Sequence, residues 1–468
     1  MNSKVVHFIG VGGIGVSALA RYFLSQGWQV SGSDLVRSDI VDELARAGAA
    51  IFVGHRPTNV PKDVSLVIYS PAVKRNNPEL KIARTLGAKI QSYPQALGEF
   101  TKKYFTIAVS GSHGKSTTTA LIGLILIKAG LDPTIIIGTK LKEFGASTNS
   151  ESGTNFRMGK SKYLVIEADE WNRSFHNYFP KVVVLTNIDK EHLDTYKNFG
   201  GVVAGFKRYL KNLARNGTLV ANAGDLNIKK IASAMRKKET KVVFYNKNRF
   251  QKHPLQIPGA HNQVNAEAAW QTFGVIAKNA NLKQNNANLR KIANEVFRNY
   301  TGAWRRLELL AVNSQKSGIK SLIYSDYAHH PTEIKATLQA LREKYPKERI
   351  ACVFEPHQQD RLTRLFKDFI RAFDEADTVI LMPVYKVVGR EEKREGGEKR
   401  EEKRGKRREA RREVDSFALA QEIKEHKAEV FYASDFEAVI KTFKQNPAGV
   451  VVFMSAGDLD SQLRKYLL

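Results

Sequence analysis

YFTIAVSGSHGKSTTTALIGLILIKAG, residues 104–130, decides the fold. It opens on an apolar run, passes through a glycine-rich loop and continues as an apolar-rich stretch of helical length, the opening of an α/β unit. The loop, GSHGKSTTT from Gly111 to Thr119, carries GxxGK[ST] at its centre, one form of the phosphate-binding loop and shorter than the commonest spacing. Glycines allow backbone N–H groups to point into a concave anion site, and the helix that follows adds the positive end of its dipole. Gly111, Ser112, His113, Gly114 and Thr117 are therefore expected to line a nucleotide, with Lys115 on the β- and γ-phosphates and the Ser116 hydroxyl on Mg²⁺.

Further along the chain, KYLVIEADE (162–170) and KVVVLTNID (181–189) read as buried strands that end on acidic residues. In an open α/β sheet the carboxyl ends of strands border the ligand crevice, so both termini are expected to face the loop before Lys115. Glu167 and His192 become candidates for a metal or for orienting groups around the γ-phosphate, whereas Asp169 and Glu170, taken singly, read as surface charges. Upstream, residues 5–34 form a second strand, glycine turn, helix and strand, with GVGGIG at Gly10–Gly15 and Asp34 at the second strand's end. That pattern alone suggests a dinucleotide-dependent dehydrogenase. A chain with two phosphate loops is read more simply as one loop for ATP and the other for the diphosphate of a nucleotide-linked substrate.

A third alternation of strands and helices begins after a polar segment, NANLKQNNANLRK (279–291), with a boundary expected near Thr301. The domains expected are 1–100, 101–300 and 301–468, ordinary sizes for a chain of 468 residues. The net charge is +27, yet Arg390–Glu413, the densest basic tract, holds 12 Lys/Arg against 8 Glu. The excess is thus spread over the chain, which favours nucleotide and acidic substrates over a DNA or RNA groove, although a nucleic-acid-stimulated ATPase remains a distant alternative. The tract itself cannot bury a face and reads as a solvated helix or loop. Cys352 is the single cysteine, so an intramolecular disulfide and a multi-cysteine metal site are excluded. No apolar run approaches a membrane span and no leader pattern opens the chain, so a cytoplasmic location is expected.

The ordered series HFIGVGGIG, SGSD, SPAVKRNNPEL, GSHGKSTTT, EADE, TNIDKEHLDTY, PGAHNQVNA, TGAWRRLE, DYAHHP, FEPH and SAGD resembles the Mur ligases over nearly the whole chain outside the charged tract. The resemblance implies three α/β domains: an N-terminal Rossmann-like domain for a UDP-sugar, a central P-loop ATPase and a C-terminal Rossmann-like domain for the amino acid. It implies ATP- and Mg²⁺-dependent ligation of L-alanine to UDP-N-acetylmuramate through an acyl phosphate, with attachment of a ready-made peptide to the same sugar as the near alternative. FEPHQQDR, with its histidine, speaks for the alanine-adding branch. By position, Gly12, Gly13, Gly15, Asp34 and Ser70 would contact the UDP part. Lys115, Ser116, Glu167 and His192 would handle phosphate and metal. Asn262, Asn265, Arg306 and Asp326 would hold the nucleotide, and Tyr327, His329, His357 and Arg361 the amino acid. Arg361 suits a carboxylate and His329 or His357 an ammonium proton; capping of the helix after Pro331 is the alternative for His329 and His330. Gln358 stands where some members carry arginine, and the oligomeric state is not readable.

Overall fold

A computed structural model describes residues 4–144, 153–236, 240–246, 252–314, 319–385, 414–427 and 429–467. The charged tract 390–413 lies outside the described residues. The chain divides into two compact units, Met1–Gln256 with Asn262–Trp304, and Ile257–His261 with Arg305–Leu468. No helix among the described residues is long and apolar enough to cross a membrane.

The first unit holds two sheets. One comprises β1 (Val5–Ile9), β2 (Gln29–Asp34), β3 (Ala50–Val53), β4 (Leu66–Tyr69) and β5 (Lys89–Ser92), all parallel, in the order β3-β2-β1-β4-β5. The other comprises β6 (Phe105–Ser110), β7 (Thr134–Leu141), β8 (Thr154–Arg157), β9 (Tyr163–Glu167), β10 (Val182–Leu185), β11 (Thr218–Asn222) and β12 (Lys241–Tyr245), ordered β12-β11-β10-β6-β9-β7-β8. Among the described strands of this sheet only β8 runs antiparallel, at the edge. Central parallel strands are covered on both faces and therefore read as unbroken apolar runs, as β10 does with all four residues buried. Strand order reverses between β1 and β4 in the first sheet and around β6 in the second, and the two glycine loops follow β1 and β6. The loops thus open where a crevice forms at the strands' carboxyl ends.

The helix Lys115–Lys128 is buried on nearly all sides. Its outer flank meets the helix Asn286–Asn299, where Lys128 pairs with Glu295 at 2.5 Å. The polar segment 279–291 leads into that helix, which begins at Asn286. Leu289, Ala293 and Phe297, four residues apart, bury one stripe of that helix, and the Asn285 side chain accepts from the Asn288 N–H at its start. Asn155 on β8 donates to the Ile14 carbonyl and to Ser17 Oγ (2.9 Å), which seats the second sheet's edge on the helix Ile14–Ser25 of the first.

The second unit is one six-stranded sheet of β13 (Glu308–Ser314), β14 (Ile319–Asp326), β15 (Ile350–Glu355), β16 (Thr378–Leu381), β17 (Val430–Tyr432) and β18 (Val450–Ser455), in the order β13-β14-β18-β15-β16-β17. β13 is antiparallel and the rest are parallel. Leu338, Phe354, Phe369 and Phe373 form the centre of its core; truncating a ring such as Phe354 to alanine costs about 3–5 kcal/mol in comparable sites. Asp326, Glu355 and Ser455 end three adjacent interior strands, which brings them to one edge.

Candidate active site

The loop between β6 and the helix Lys115–Lys128 takes its shape from the segment after β10. Ser112 N–H donates to the Asn187 carbonyl (3.0 Å) and His113 N–H to Asn187 Oδ1 (2.8 Å). Thr186 Oγ1 and Asn187 Nδ2 both donate to the His113 carbonyl, at 2.7 and 2.9 Å. His113 Nε2 lies 3.0 Å from Asp189 Oδ2. Gly114 has φ +79°, and a Cβ there would strike the Asn265 side chain, so both backbone and space demand glycine. Asn265 and Asn262 are buried, with Asn265 Nδ2 donating to Asn262 Oδ1 at 3.3 Å. Thr117 is buried in the first helical turn.

Lys115 folds back over its loop. Its ammonium donates to the Gly111 carbonyl (2.6 Å), the Ser112 carbonyl (3.1 Å) and Glu170 Oε2 (3.0 Å). Burial works against the charged form, but Glu170, Asp169 and Glu167 together outweigh it and raise the lysine above its ordinary value. Ser116 Oγ donates to Glu167 Oε2 at 3.1 Å, and Glu167 Oε1 accepts from the Gly138 N–H at 2.7 Å. His192 stands beside Glu170, with 3.7 Å between Nε2 and Oε1. The two acidic strand ends and the loop therefore meet, with Glu167 paired to Ser116 and His192 brought to Glu170.

The reading of Glu170 as a surface charge is corrected: the residue is fully buried and bonded to Lys115. Burial pushes its carboxyl up, against the pull of Lys115. Asp169 is half-buried and accepts from the Trp171 N–H at 3.1 Å. Thr186, Asn187 and Asp189 also went unassigned in the sequence. The signal was present in TNID, polar residues directly after a buried strand at the same edge as the phosphate loop.

In the first sheet, Gly12 N–H donates to Asp34 Oδ2 at 2.8 Å, and Gly13 is the N-cap of the helix Ile14–Ser25. A Cβ at Gly15 would lie 2.7 Å from the Tyr93 ring, a close approach that only glycine permits. Ser70 follows β4, and its side chain packs against Gly10. The predicted UDP residues thus share the edge where strand order reverses.

In the second unit, Asp326 is buried and accepts from the N–H groups of Leu307 and Ala328, both at 2.7 Å. Burial pushes its carboxyl up to about 6, against the pull of Arg306 and these two N–H groups. Arg306 lies 3.9 Å from Glu333 and 5.1 Å over the Tyr327 ring. His329 Nδ1 donates to the Tyr327 carbonyl at 2.8 Å, which puts the neutral ring's lone pair on Nε2. His330, not His329, caps the helix Pro331–Lys344, in a capping box with Glu333. His329 and His357 are 6.2 Å apart by ring centroids, and Arg361 Nη1 donates to the His357 carbonyl at 3.2 Å. Tyr385, which was not predicted, stacks on His357 at 5.8 Å and 14°. Gln358 adopts φ +70°, in the left-handed region.

The chain matches the Mur ligase family, catalytic domain, over residues 5–105, the Mur ligase middle domain over 109–273, and the Mur ligase, glutamate ligase domain, over 305–457. UDP-N-acetylmuramate--L-alanine ligase of Acetivibrio thermocellus is 37% identical, over 97% of this chain and 94% of its own length. The same enzyme of Aquifex aeolicus is 34% identical over 99% and 97%. Among solved structures, UDP-N-acetylmuramate-alanine ligase from Thermotoga maritima shares the fold with a TM-score of 0.75, 23% identity and 99% of this chain covered against 98% of that one. A murein peptide ligase from Psychrobacter arcticus has a TM-score of 0.64 at 21% identity, covering 99% and 98%. Matches along most of the sequence, and full-length relatives at this identity, establish that the chain belongs to the Mur ligase family.

Proposed function

We propose that the protein joins L-alanine to UDP-N-acetylmuramate, with ATP converted to ADP and phosphate. The observation that carries this reading is the site around Lys115, where a phosphate loop, a half-buried ammonium and a serine–carboxylate pair meet at one sheet edge. The relatives just described are named for this reaction, and they are matched over almost their whole length. In this reading, residues 1–100 take the UDP-sugar, 101–300 the ATP and 301–468 the amino acid.

The donor set suits Mg²⁺, a hard cation that prefers oxygen: Ser116 and Glu167 form one pair, and ligand atoms of Asp169, Glu170 and His192 lie within 4.8 Å of one another. Bound there, Mg²⁺ would screen the phosphate oxygens. A carboxylate resists attack by an amine, so the sugar's carboxylate oxygen first takes the γ-phosphoryl group and ADP leaves. Loop N–H groups and Lys115 stabilise the charge on the transferred group. The neutral amine of L-alanine then attacks the acyl carbon, and phosphate departs from the tetrahedral intermediate. Arg361 holds the amino acid's carboxylate, while His329 Nε2 accepts the ammonium proton.

The test is phosphate release from ATP, Mg²⁺ and UDP-N-acetylmuramate with L-alanine, glycine, L-serine or the cell-wall tripeptide, with the amide product identified by mass. L-Alanine is expected to give the highest kcat/KM. Preference for the tripeptide would move the protein to the peptide-attaching branch, and no amide with any acceptor would overturn the reading.

A further inference from the structure

Every donor of the Lys115 ammonium is taken by the protein itself: two carbonyls of its own loop and the buried Glu170. An ammonium arranged this way cannot also reach a phosphate oxygen; at least one of these partners must be given up. These carbonyls belong to a loop whose backbone is held at the neighbouring His113 carbonyl by the Thr186 and Asn187 side chains. Glu170 is different in kind. It is an anion, it has no exposed surface, and its position is set from behind by the Tyr196 hydroxyl, which donates to the Glu170 carbonyl at 2.7 Å. A buried carboxylate needs a cation, and the two at hand are Lys115 and, at 3.7 Å, the His192 ring when charged.

We propose that Glu170 is a positioning residue that competes with phosphate for Lys115: it holds the ammonium in the loop, and nucleotide binding exchanges one anion for another. This rests on the reading of the loop as the ATP site. Glu170 neutralises the lysine and keeps it in the loop, while its charge opposes the incoming phosphates. Ser116 Oγ beside Lys115 donates to a second carboxylate, Glu167, at 3.1 Å, and the charges of Glu167 and Asp169 act on the ammonium in the same sense as Glu170. Removing one of those charges without changing shape therefore strengthens the attraction for a phosphate anion, whereas loss of a merely structural bond would loosen the loop and weaken it.

The experiment is ADP binding by calorimetry to the full-length protein in the presence of a chelator, which removes any contribution from a cation at Asp169, Glu170 or His192. Glu170→Gln is expected to lower the ADP Kd roughly tenfold. Glu170→Asp, whose carboxylate retreats by one methylene, is expected to lower it less, in the same direction. An unchanged or raised Kd in Glu170→Gln overturns the proposal, and if that variant does not fold, an unchanged or raised Kd in Glu170→Asp does so. A wild-type protein that binds neither ADP nor ATP would instead remove the nucleotide reading itself.

Discussion

Replacing Glu79 is expected to destabilise the first sheet in a way that depends on pH. Its carboxylate is fully buried and accepts from Ser33 Oγ (2.5 Å), Asn59 Nδ2 (2.6 Å) and the Arg56 N–H (3.2 Å), with His55 and His7 at 3.4 and 3.5 Å. Burial pushes this carboxyl up, but the bonds from His55, His7, Ser33 and Asn59 outweigh it and hold the group far below the usual range. Hydrogen bonds to a charged group contribute about 1.5–3 kcal/mol each, partly offset by the desolvation of the anion. Glu79→Ala removes three of them, orphans the Arg56 N–H and opens a void, so a loss of about 3–5 kcal/mol is expected at pH 7. Glu79→Gln keeps the shape and loses the charge, for about 1–3 kcal/mol. Because the folded carboxyl ionises more readily than the roughly 4.3 of an unfolded chain, its contribution is complete above that value and fades as pH falls toward the folded one. Wild type and variants should therefore converge as pH falls below about 4. Urea titrations at pH 7 and pH 3.5, with amide exchange followed over residues 50–60, measure both parts. A difference below about 1 kcal/mol at pH 7 for the alanine variant, or one that persists unchanged at pH 3.5, would refute the assignment of this network to an ionised Glu79.

Arg361→Lys replaces a fork of donors by a point charge, so the KM for L-alanine should rise about tenfold with kcat little changed, as read from initial rates of phosphate release. Asp326 behaves oppositely to Glu79. Its carboxyl is raised to about 6 by burial, so its contribution to stability is complete below about 4 and is lost as pH rises through 6. The stability gap between wild type and Asp326→Asn should accordingly shrink by about 2–3 kcal/mol between pH 4 and pH 8, measured by urea unfolding. Gly114→Ala forces a side chain into the left-handed region and against Asn265, and nucleotide affinity measured by calorimetry should fall more than tenfold while the far-UV spectrum is kept.

The parts of this molecule that follow from composition and order were readable from the residues alone. VVVL at β10 has to be a strand covered on both faces, and a glycine loop between such a strand and an apolar helix has to open at the sheet's carboxyl edge. Even the lysine and the serine of that loop could be named. The helix Asn286–Asn299 was obscured because three apolar residues at a spacing of four are sparse among asparagines, and it is the neighbouring helix Lys115–Lys128 that makes a narrow stripe sufficient. Glu170 was obscured for a different reason. EADE begins on the last residue of β9 and places three more past the strand's end, and nothing in their identity says which carboxylate turns inward. That is decided by the backbone that follows, where Asn172 and Arg173 take left-handed conformations in a short helical turn and Tyr196 fixes the Glu170 carbonyl. A chain that continued in extended form would have carried Glu170 away from the loop; the turn carries it under Lys115 instead. The chemistry of this site thus rests on a backbone turn with two residues in the left-handed region, and side-chain type alone does not encode it.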